Sequence, residues 1–421
     1  MMTHPKMKWT YVGVDSHKDT HTAVFIDCFF GKIGELTFSN LPSEFDIFLK
    51  EAQKFKVKGT LFAFGLEDMS AYGRSLAVFL KGKGHTVKHV NASLVANERK
   101  STGMLHKTDS FDAECAARVL LSRFDELPLV TLLDKYFILG NLVTRRNSIV
   151  KINKALKNQL HVLLTDSYPN YKKFFSDIST KTALTFFEKY PSPLALEEVS
   201  KDELKATFRH ITGNNFSIER AAEFLSYFLK CGFTPSEYQE EKDFTVMQAV
   251  RQIRANLFEI KEIDKRLTSF LKNFDYKLTS MKGIDTVLAS RLIAEIGDIS
   301  RFENPAKLAK YAGIAPVTYA SGKTDCQFAN KRGNRNLSEI FFRLAVILTM
   351  TSGRGTKIAN HYFYDYYQKK LSSGKTKKQA LKCVQRRLVN IIWGMMKNCT
   401  EYINPQVCEK PSNPKETNIP F

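Results

Sequence analysis

The stretch Val12-Gly13-Val14-Asp15-Ser16 decides the fold of this chain. An apolar run over 9–14 leads into Asp15, and a second β-rich run covers 22–26 after a polar segment, which predicts a hairpin with Asp15 at the end of its first strand. Carboxylates at the ends of neighbouring elements can meet at one point. Acidic residues that end or begin later elements are therefore candidate partners of Asp15.

Three further carboxylates fit that description. Glu67 follows an apolar strand predicted over 60–66, and Asp109 and Asp112 lie in a helix predicted over 109–124, where a spacing of three places them on one face. Four carboxylates packed together repel one another unless cations neutralise them. The sequence therefore predicts a site for two Mg²⁺ ions about 4 Å apart, with Mn²⁺ able to replace them, of the kind that serves phosphoryl transfer.

Each of these residues also has a purely structural interpretation. An Asp after a strand is commonly a turn former, and Glu67 could be a solvated strand end. Asp109 as a helix N-cap, with Asp112 three positions later, would satisfy exposed amides without any metal. Other acidic residues could also take one of the four places: Asp19, Asp27 and Asp68.

The remaining elements of region 1–130 alternate in type. Helices are predicted over 43–55 and 71–81, and a short strand over 86–90. Strands and helices in alternation indicate an α/β domain with a mixed sheet.

The middle region, 131–280, is predicted to be helical. Long helices cover 132–164 and 244–274, and apolar residues of the second recur at alternating spacings of three and four. That spacing is typical of a coiled coil, and equally of an amphipathic helix on its own core. The proline- and aromatic-rich segment 167–232 indicates a small helical insertion.

The C-terminal region, 281–403, is predicted to be mainly α-helical and to contact nucleic acid. Residues 282–297 place an apolar helix between two glycine turns, a pattern similar to the helix-hairpin-helix, whose backbone amides hold a DNA phosphate. A glycine-capped helix without that role gives the same pattern. The proline-rich tail 404–421 is predicted to be disordered.

A Ser-Gly turn beside a basic turn is the second candidate site. Ser321-Gly322-Lys323 precedes Lys331-Arg332-Gly333-Asn334-Arg335, an arrangement able to hold a serine hydroxyl against a phosphodiester. A Ser-Gly dipeptide by itself indicates only a loop. No His or Asp base stands at a recognisable sequence distance for hydrolase-type activation of the serine.

Composition favours a polyanionic partner. The 421 residues carry a formal charge of +20 with a pI near 9.5, and basic residues outnumber acidic ones about three to one over 281–400. The seven cysteines are scattered without metal-ligand spacing, and no apolar run is long enough to cross a membrane. We therefore expect a protein of the reducing cytoplasm with no membrane partner. The basic charge has a second interpretation, because a surface that merely confers solubility has a similar composition.

These motifs together resemble a known family. Tyr11 through Lys18, Gly65-Leu66-Glu67, Lys107-Thr108-Asp109 and Asp112-Ala113 resemble the N-terminal RuvC-like, RNase H-like domain of the DEDD transposases of bacterial insertion sequences. The stretch 281–345, with Gly313-Ile314-Ala315-Pro316, Ser321-Gly322 and 331–334, resembles their C-terminal transposase domain.

The resemblance implies specific roles and partners. Asp15, Glu67, Asp109 and Asp112 would be the metal-binding tetrad, and Ser321 the nucleophile that forms a covalent phosphoserine with a DNA end. The partners would be double-stranded DNA of the element ends and target, bound at the nucleoid, and a structured guide RNA encoded by the element. Because the serine and the tetrad lie in different domains separated by long helices, we also expect them to meet across subunits of a homo-oligomer, a dimer or tetramer. The expected nucleic-acid contacts are basic residues of the matching stretches: Lys107, Lys282, Lys323, Lys331, Arg332 and Arg335.

Two other functions fit the same residues. In a RuvC-like junction-resolving nuclease the tetrad would activate water, and Ser321 would only bind phosphate. A non-catalytic DNA- or RNA-binding protein would need the positive charge alone, and chelation of metals would then leave its function intact.

Overall fold

A computed structural model describes residues 4–67, 72–103, 107–130, 134–212, 218–321, 324–328, 330, 333–352 and 357–404. The chain forms two compact units, Met1–Phe137 and Ile138–Phe421. The domain boundaries predicted at 130/131 and 280/281 remain predictions, and the tail from 405 onward lies outside the described residues.

A five-stranded mixed sheet is the centre of the N-terminal unit. Its strands are β1 (Trp9–Ser16), β2 (Thr20–Ile26), β3 (Lys32–Ser39), β4 (Leu61–Leu66) and β5 (Thr86–His89), in the order β3-β2-β1-β4-β5. The first three strands pair antiparallel, whereas β4 runs parallel to β1 and to β5. The predicted hairpin and the predicted mixed α/β sheet are confirmed.

Helices cover both faces of this sheet. They are α1 (Phe45–Ala52), α2 (Arg74–Gly82), α3 (Ala92–Ser101) and α4 (Asp109–Ser122). Side chains alternate along β1, so Val12 and Val14 pack with α1 and α2 on one face, whereas Tyr11 packs with α3 and α4 on the other. Gly13 and Asp15 share the parity of Tyr11 and therefore belong to the α4 face.

Gly13 is the residue that allows α4 to lie directly on the sheet. A Cβ atom at this position would come within 2.1 Å of the Ala113 carbonyl oxygen and 2.3 Å of the Ala117 nitrogen, both in the backbone of α4. Gly13 pairs with Gly65 of β4, where a Cβ atom would meet Val90 and Leu120 at 2.8 and 3.2 Å. Because neither glycine has a side chain, the helix and loop that cover the sheet can pack closely against it two residues before Asp15 and Glu67.

Five helices begin the second unit: α5 (Asp134–Ser167), α6 (Lys181–Lys189), α7 (Lys201–Thr212), α8 (Ile218–Cys231) and α9 (Gln239–Phe270). Between the end of α5 and the start of α9, the helices of the predicted insertion enclose a core of aromatic rings. Buried members of that core include Tyr168, Phe186, Phe187, Phe208, Phe224 and Phe228.

The rest of this unit is helical with two short hairpins. The helices are α10 (Thr286–Ile296), α11 (Pro305–Tyr311), α12 (Arg335–Thr349), α13 (His361–Ser372) and α14 (Lys377–Asn398). The hairpins are formed by β6 (Val317–Ser321) with β7 (Thr324–Phe328), and by β8 (Thr351–Ser352) with β9 (Lys357–Ile358).

The predicted helices are confirmed within a few residues, and two elements of the first unit are absent from the predictions. β3 and α3 were not expected, although the alternating exposure of β3 follows the alternating pattern of its sequence. The coiled-coil and helix-hairpin-helix interpretations remain predictions. No helix in the described ranges is both long enough and apolar enough to cross a bilayer.

Candidate active site

Asp15 and Glu67 lie at the same edge of the sheet. In the parallel pair of β1 and β4, Val14 is aligned with Leu66, and Asp15 and Glu67 are the next residues on their strands. Parallel strands end on the same side, so the two carboxylates extend from adjacent positions. Asp15 is largely buried, with a side chain 13% exposed.

The first turn of α4 brings the other two carboxylates to this edge. The Thr108 hydroxyl accepts a hydrogen bond from the Phe111 amide at 3.2 Å and caps the helix. The interpretation of Asp109 as the N-cap is therefore wrong, because Thr108 has that role and Asp109 is the first helical residue. Asp109 is exposed, whereas Asp112, one turn later, is buried with 6% of its surface accessible.

His17 connects two of the four carboxylates. Its Nε2 atom lies 3.2 Å from an Asp15 carboxylate oxygen and 3.3 Å from one of Asp109. Together these side chains offer three ligand atoms within 4.8 Å of one another. The imidazole therefore contacts both carboxylates.

Basic side chains surround Asp112. The Arg99 guanidinium of α3 donates a hydrogen bond to one carboxylate oxygen of Asp112, and the Lys107 ammonium lies 3.9 Å from the other. That hydrogen bond raises the pKa of Arg99 above its ordinary value. Lys107, a predicted nucleic-acid contact, is thus an exposed cation at the rim of the acidic cluster.

The electrostatics of the cluster disfavour four simultaneous negative charges. Burial raises the pKa of Asp15 above its ordinary value, and the Asp109 and Asp112 carboxylates raise it further, against the lowering influence of His17. Burial likewise raises the pKa of Glu67, followed by the charges of Asp15 and Asp112, with Lys107 and Arg99 opposing. Asp15 therefore interacts electrostatically with Asp109 and Asp112, and Glu67 interacts with Asp15 and Asp112.

The donor set fits a hard divalent cation. Carboxylate oxygens are the ligands that Mg²⁺ and Mn²⁺ prefer. A cation among Asp15, Glu67, Asp109 and Asp112 would oppose the burial and the mutual repulsion that raise the pKa values of Asp15 and Glu67. The His17 nitrogen adds a softer donor, which suits Mn²⁺ better than Mg²⁺.

Asp19, Asp27 and Asp68 are the other acidic residues that the sequence offered for this site, and the structure describes two of them. Asp27 follows the far end of β2, where Ile26 pairs with Tyr11, about 13 Å along the strand from Asp15. Its carboxylate accepts hydrogen bonds of 2.8 Å from the Phe29 and Gly31 amides, which is a turn-forming role. Asp19 lies in the turn between β1 and β2 outside the three-ligand group, and Asp68 lies outside the described residues.

Ser321 is the last residue of β6, in register with Thr324 at the start of β7. Its backbone is described but its side chain is not, and three predicted contacts, Lys323, Lys331 and Arg332, lie outside the described residues. Lys282 and Arg335 are exposed in the same compact unit.

Gly333, which follows β7 in the sequence, lies against the turn after α11. Gly333 approaches Gly313 so closely that a Cβ atom on Gly333 would lie 2.2 Å from the Gly313 nitrogen. Asn334 caps α12 by accepting from the Leu337 amide at 2.9 Å, and its amide side chain donates to Glu295 of α10 at 2.7 Å. The two glycine motifs quoted from the sequence are therefore in contact.

Sequence reasoning missed His17 and Arg99 as members of the site. His17 was part of the quoted motif, but a histidine two residues after a strand-ending Asp gives no spacing signal by itself. Arg99 lies on α3, which the helical pattern did not reveal, and its partner Asp112 is thirteen positions away.

Comparison with known proteins identifies the family of this chain. A family model described as a transposase of the IS116/IS110/IS902 family matches residues 275–363, and the DEDD transposase model of IS110 matches residues 12–169. The chain belongs to the IS110/IS116/IS902 transposase family. The match over 12–169 contains the whole acidic cluster, and the match over 275–363 contains Ser321.

Relatives extend over nearly the whole chain. An insertion element IS116 protein of Streptomyces clavuligerus is 25% identical over 92% of this chain and 94% of its own length. A pilin gene-inverting protein of Moraxella lacunata is 23% identical over 93% of this chain and 97% of its own. An insertion element IS110 protein of Streptomyces coelicolor is 24% identical over 70% of this transposase and 72% of its own length.

Proposed function

We propose that this chain is a DNA recombinase of an insertion sequence that cuts and exchanges strands through a covalent phosphoserine at Ser321. The observation that carries the proposal is the meeting of carboxylates from β1, β4 and α4 at one sheet edge. Family membership supplies the DNA substrate class.

Asp15, Glu67, Asp109 and Asp112 would hold the divalent ions, two of Mg²⁺ or Mn²⁺. Ions bound there supply Lewis-acid polarisation of a phosphate and favour ionisation of an attacking hydroxyl. His17 orients Asp15 and Asp109, and Arg99 fixes Asp112. Lys107 at the rim attracts the phosphate backbone toward the cluster.

The covalent step exchanges one phosphate ester for another. The Ser321 hydroxyl gives up its proton as its Oγ atom forms a bond to phosphorus. The bond between that phosphorus and one DNA oxygen breaks, and the departing oxygen takes up a proton, so the strand leaves with a free hydroxyl. Because the phosphoserine conserves an ester bond, a second strand hydroxyl can attack it and restore the serine. Strands rejoin without ATP.

The partners in this proposal are nucleic acids and other copies of the chain. A formal charge of +20, with the basic excess in the second unit, supports binding of both a DNA duplex and a structured guide RNA. Base pairing by the guide would select donor and target sequences, while the protein contacts the backbones.

Replacement of Ser321 tests the proposal directly. Ser321→Ala should abolish protein–DNA adducts on denaturing gels with Mg²⁺ present, while DNA binding persists. Ser300→Ala removes an exposed serine of the same unit and should leave adducts unchanged. Adducts that survive in Ser321→Ala would assign the nucleophile elsewhere. Cleavage without any adduct in the unaltered protein would indicate the nuclease that hydrolyses with water.

A further inference from the structure

A cationic groove lies beside the hairpin that contains Ser321. It is a cavity of about 720 Å³ between the α13–α14 pair and the segment that enters and leaves the β6–β7 hairpin. Four basic side chains line it: Lys375, Lys382, Arg386 and Arg387. No acidic residue is among the described residues that line the groove.

Neutral groups hold three of these cations, Lys382, Arg386 and Arg387. Lys382 donates to the Gly313 carbonyl at 3.2 Å, and Arg386 donates to the Pro305 carbonyl at 3.0 Å. Arg387 donates to the Tyr362 hydroxyl at 2.7 Å and lies over the Tyr366 ring at 3.9 Å. Carbonyls and phenol rings orient these charges without neutralising them, so the groove keeps its positive potential. Burial lowers the pKa of Lys382, which an anion in the groove would oppose.

Aromatic side chains lie among these cations. Phe328, 56% exposed at the end of β7, lines one side, and Tyr366 lines the other. A positively charged groove with aromatic rings is the combination that holds single strands, because the cations follow phosphates and the rings stack on bases. A duplex with paired, stacked bases would leave the rings unused.

The groove is continuous with the strand that ends at Ser321. Phe328 pairs with Val317, the first residue of β6, and Ser321 follows about 13 Å along the same strand. A DNA strand attached to the serine can therefore reach the groove within a few nucleotides. The occupant favoured by this continuity is DNA rather than RNA, since the proposed serine ester is made with DNA.

We propose that this groove binds the unpaired DNA strand next to the cleaved end, with phosphates on Lys375, Lys382, Arg386 and Arg387 and a base against Phe328. The inference rests on the proposed function for the identity of the strand. It adds a binding site that accepts DNA of any sequence, because ring stacking is tolerant of base identity.

The test uses the full-length Ser321→Ala protein, which cannot form adducts under the proposal, and a fluorescent single-stranded oligodeoxynucleotide in anisotropy titrations over a range of KCl. Lys375→Ala should lower the slope of log affinity against log salt by about one. Phe328→Ala should weaken binding roughly 5- to 100-fold with the slope unchanged. Lys397→Ala, which removes the same charge near the other end of α14, should change neither quantity.

Ultraviolet cross-linking followed by peptide mapping locates the strand independently of affinity. We expect cross-links at Phe328 or Tyr366. Cross-links confined to other peptides, or wild-type slopes in Lys375→Ala together with wild-type affinity in Phe328→Ala, would overturn the groove assignment. If Lys375→Ala and Phe328→Ala weakened binding of an RNA oligonucleotide of the same sequence but left DNA binding unchanged, the choice of DNA would be overturned. Cross-links in the groove without adducts in the unaltered protein would support the groove while refuting the serine chemistry.

Discussion

At the scale of single residues, the acidic cluster lowers the stability of the metal-free protein at neutral pH. Asp15 and Glu67 both have raised pKa values in the folded protein, so the native state binds protons that the unfolded chain releases. Their favourable contribution is complete below the unfolded pKa and is lost as pH rises through the folded pKa. At neutral pH the metal-free cluster therefore destabilises the fold.

Asp15→Asn should consequently raise the free energy of unfolding of the protein in EDTA by on the order of 1 kcal/mol, because it removes one buried negative charge from a cluster of negative charges. The thermal midpoint should rise with it. The same substitution should lower Mg²⁺-dependent strand cleavage at least about a thousandfold. Differential scanning calorimetry and a single-turnover cleavage assay measure the two effects. A variant that is less stable in EDTA at neutral pH, or one that cleaves at the normal rate, would contradict this account of Asp15.

At the scale of elements, the approach of α4 to β1 sets the geometry of the site. Gly13→Ala would force its Cβ atom against the backbone of α4, which cannot move aside as a flexible side chain can. We expect a loss of at least about 2 kcal/mol of stability and a weakened metal site, because Asp109 and Asp112 would be displaced from Asp15.

Gly140→Ala is the matched control for that substitution. Gly140 lies inside α5, and a Cβ atom there would have no neighbour within 4 Å. The added helix propensity should stabilise the protein by about 0.5–1 kcal/mol. Urea denaturation of both variants measures the contrast, and equal stability of the two would show that α4 does not depend on Gly13.

How much of this could be read from the sequence differs between elements and contacts. The strands before Asp15 and Glu67 and the helix of Asp109 have strong local patterns, and these patterns correctly predicted the mixed sheet and the elements on which these carboxylates lie. α3 has a weak amphipathic pattern, and Arg99 reaches Asp112 only through tertiary packing. The cationic groove likewise joins residues from three separate segments, so no spacing rule could have indicated it.

At the scale of the whole molecule, the acidic cluster and Ser321 belong to different compact units. We predict that the active site is assembled between subunits of a homo-oligomer, with carboxylates from one chain and serine from another. Mixtures of Asp15→Asn and Ser321→Ala chains should then recover up to about a quarter to a half of the normal adduct yield, although each variant alone is inactive. Mixed oligomers that never form adducts would place both groups in one chain.

The most direct test of the central claim is calorimetric titration of the metal-free protein with Mn²⁺. We predict binding that is weakened at least about tenfold by Asp112→Asn and is unchanged by Asp27→Asn, since the Asp27 carboxylate forms a turn at the far end of β2. Equal Mn²⁺ affinity in the unaltered protein and the Asp112→Asn variant, or no binding to either, would contradict the claim that these carboxylates form a divalent metal site.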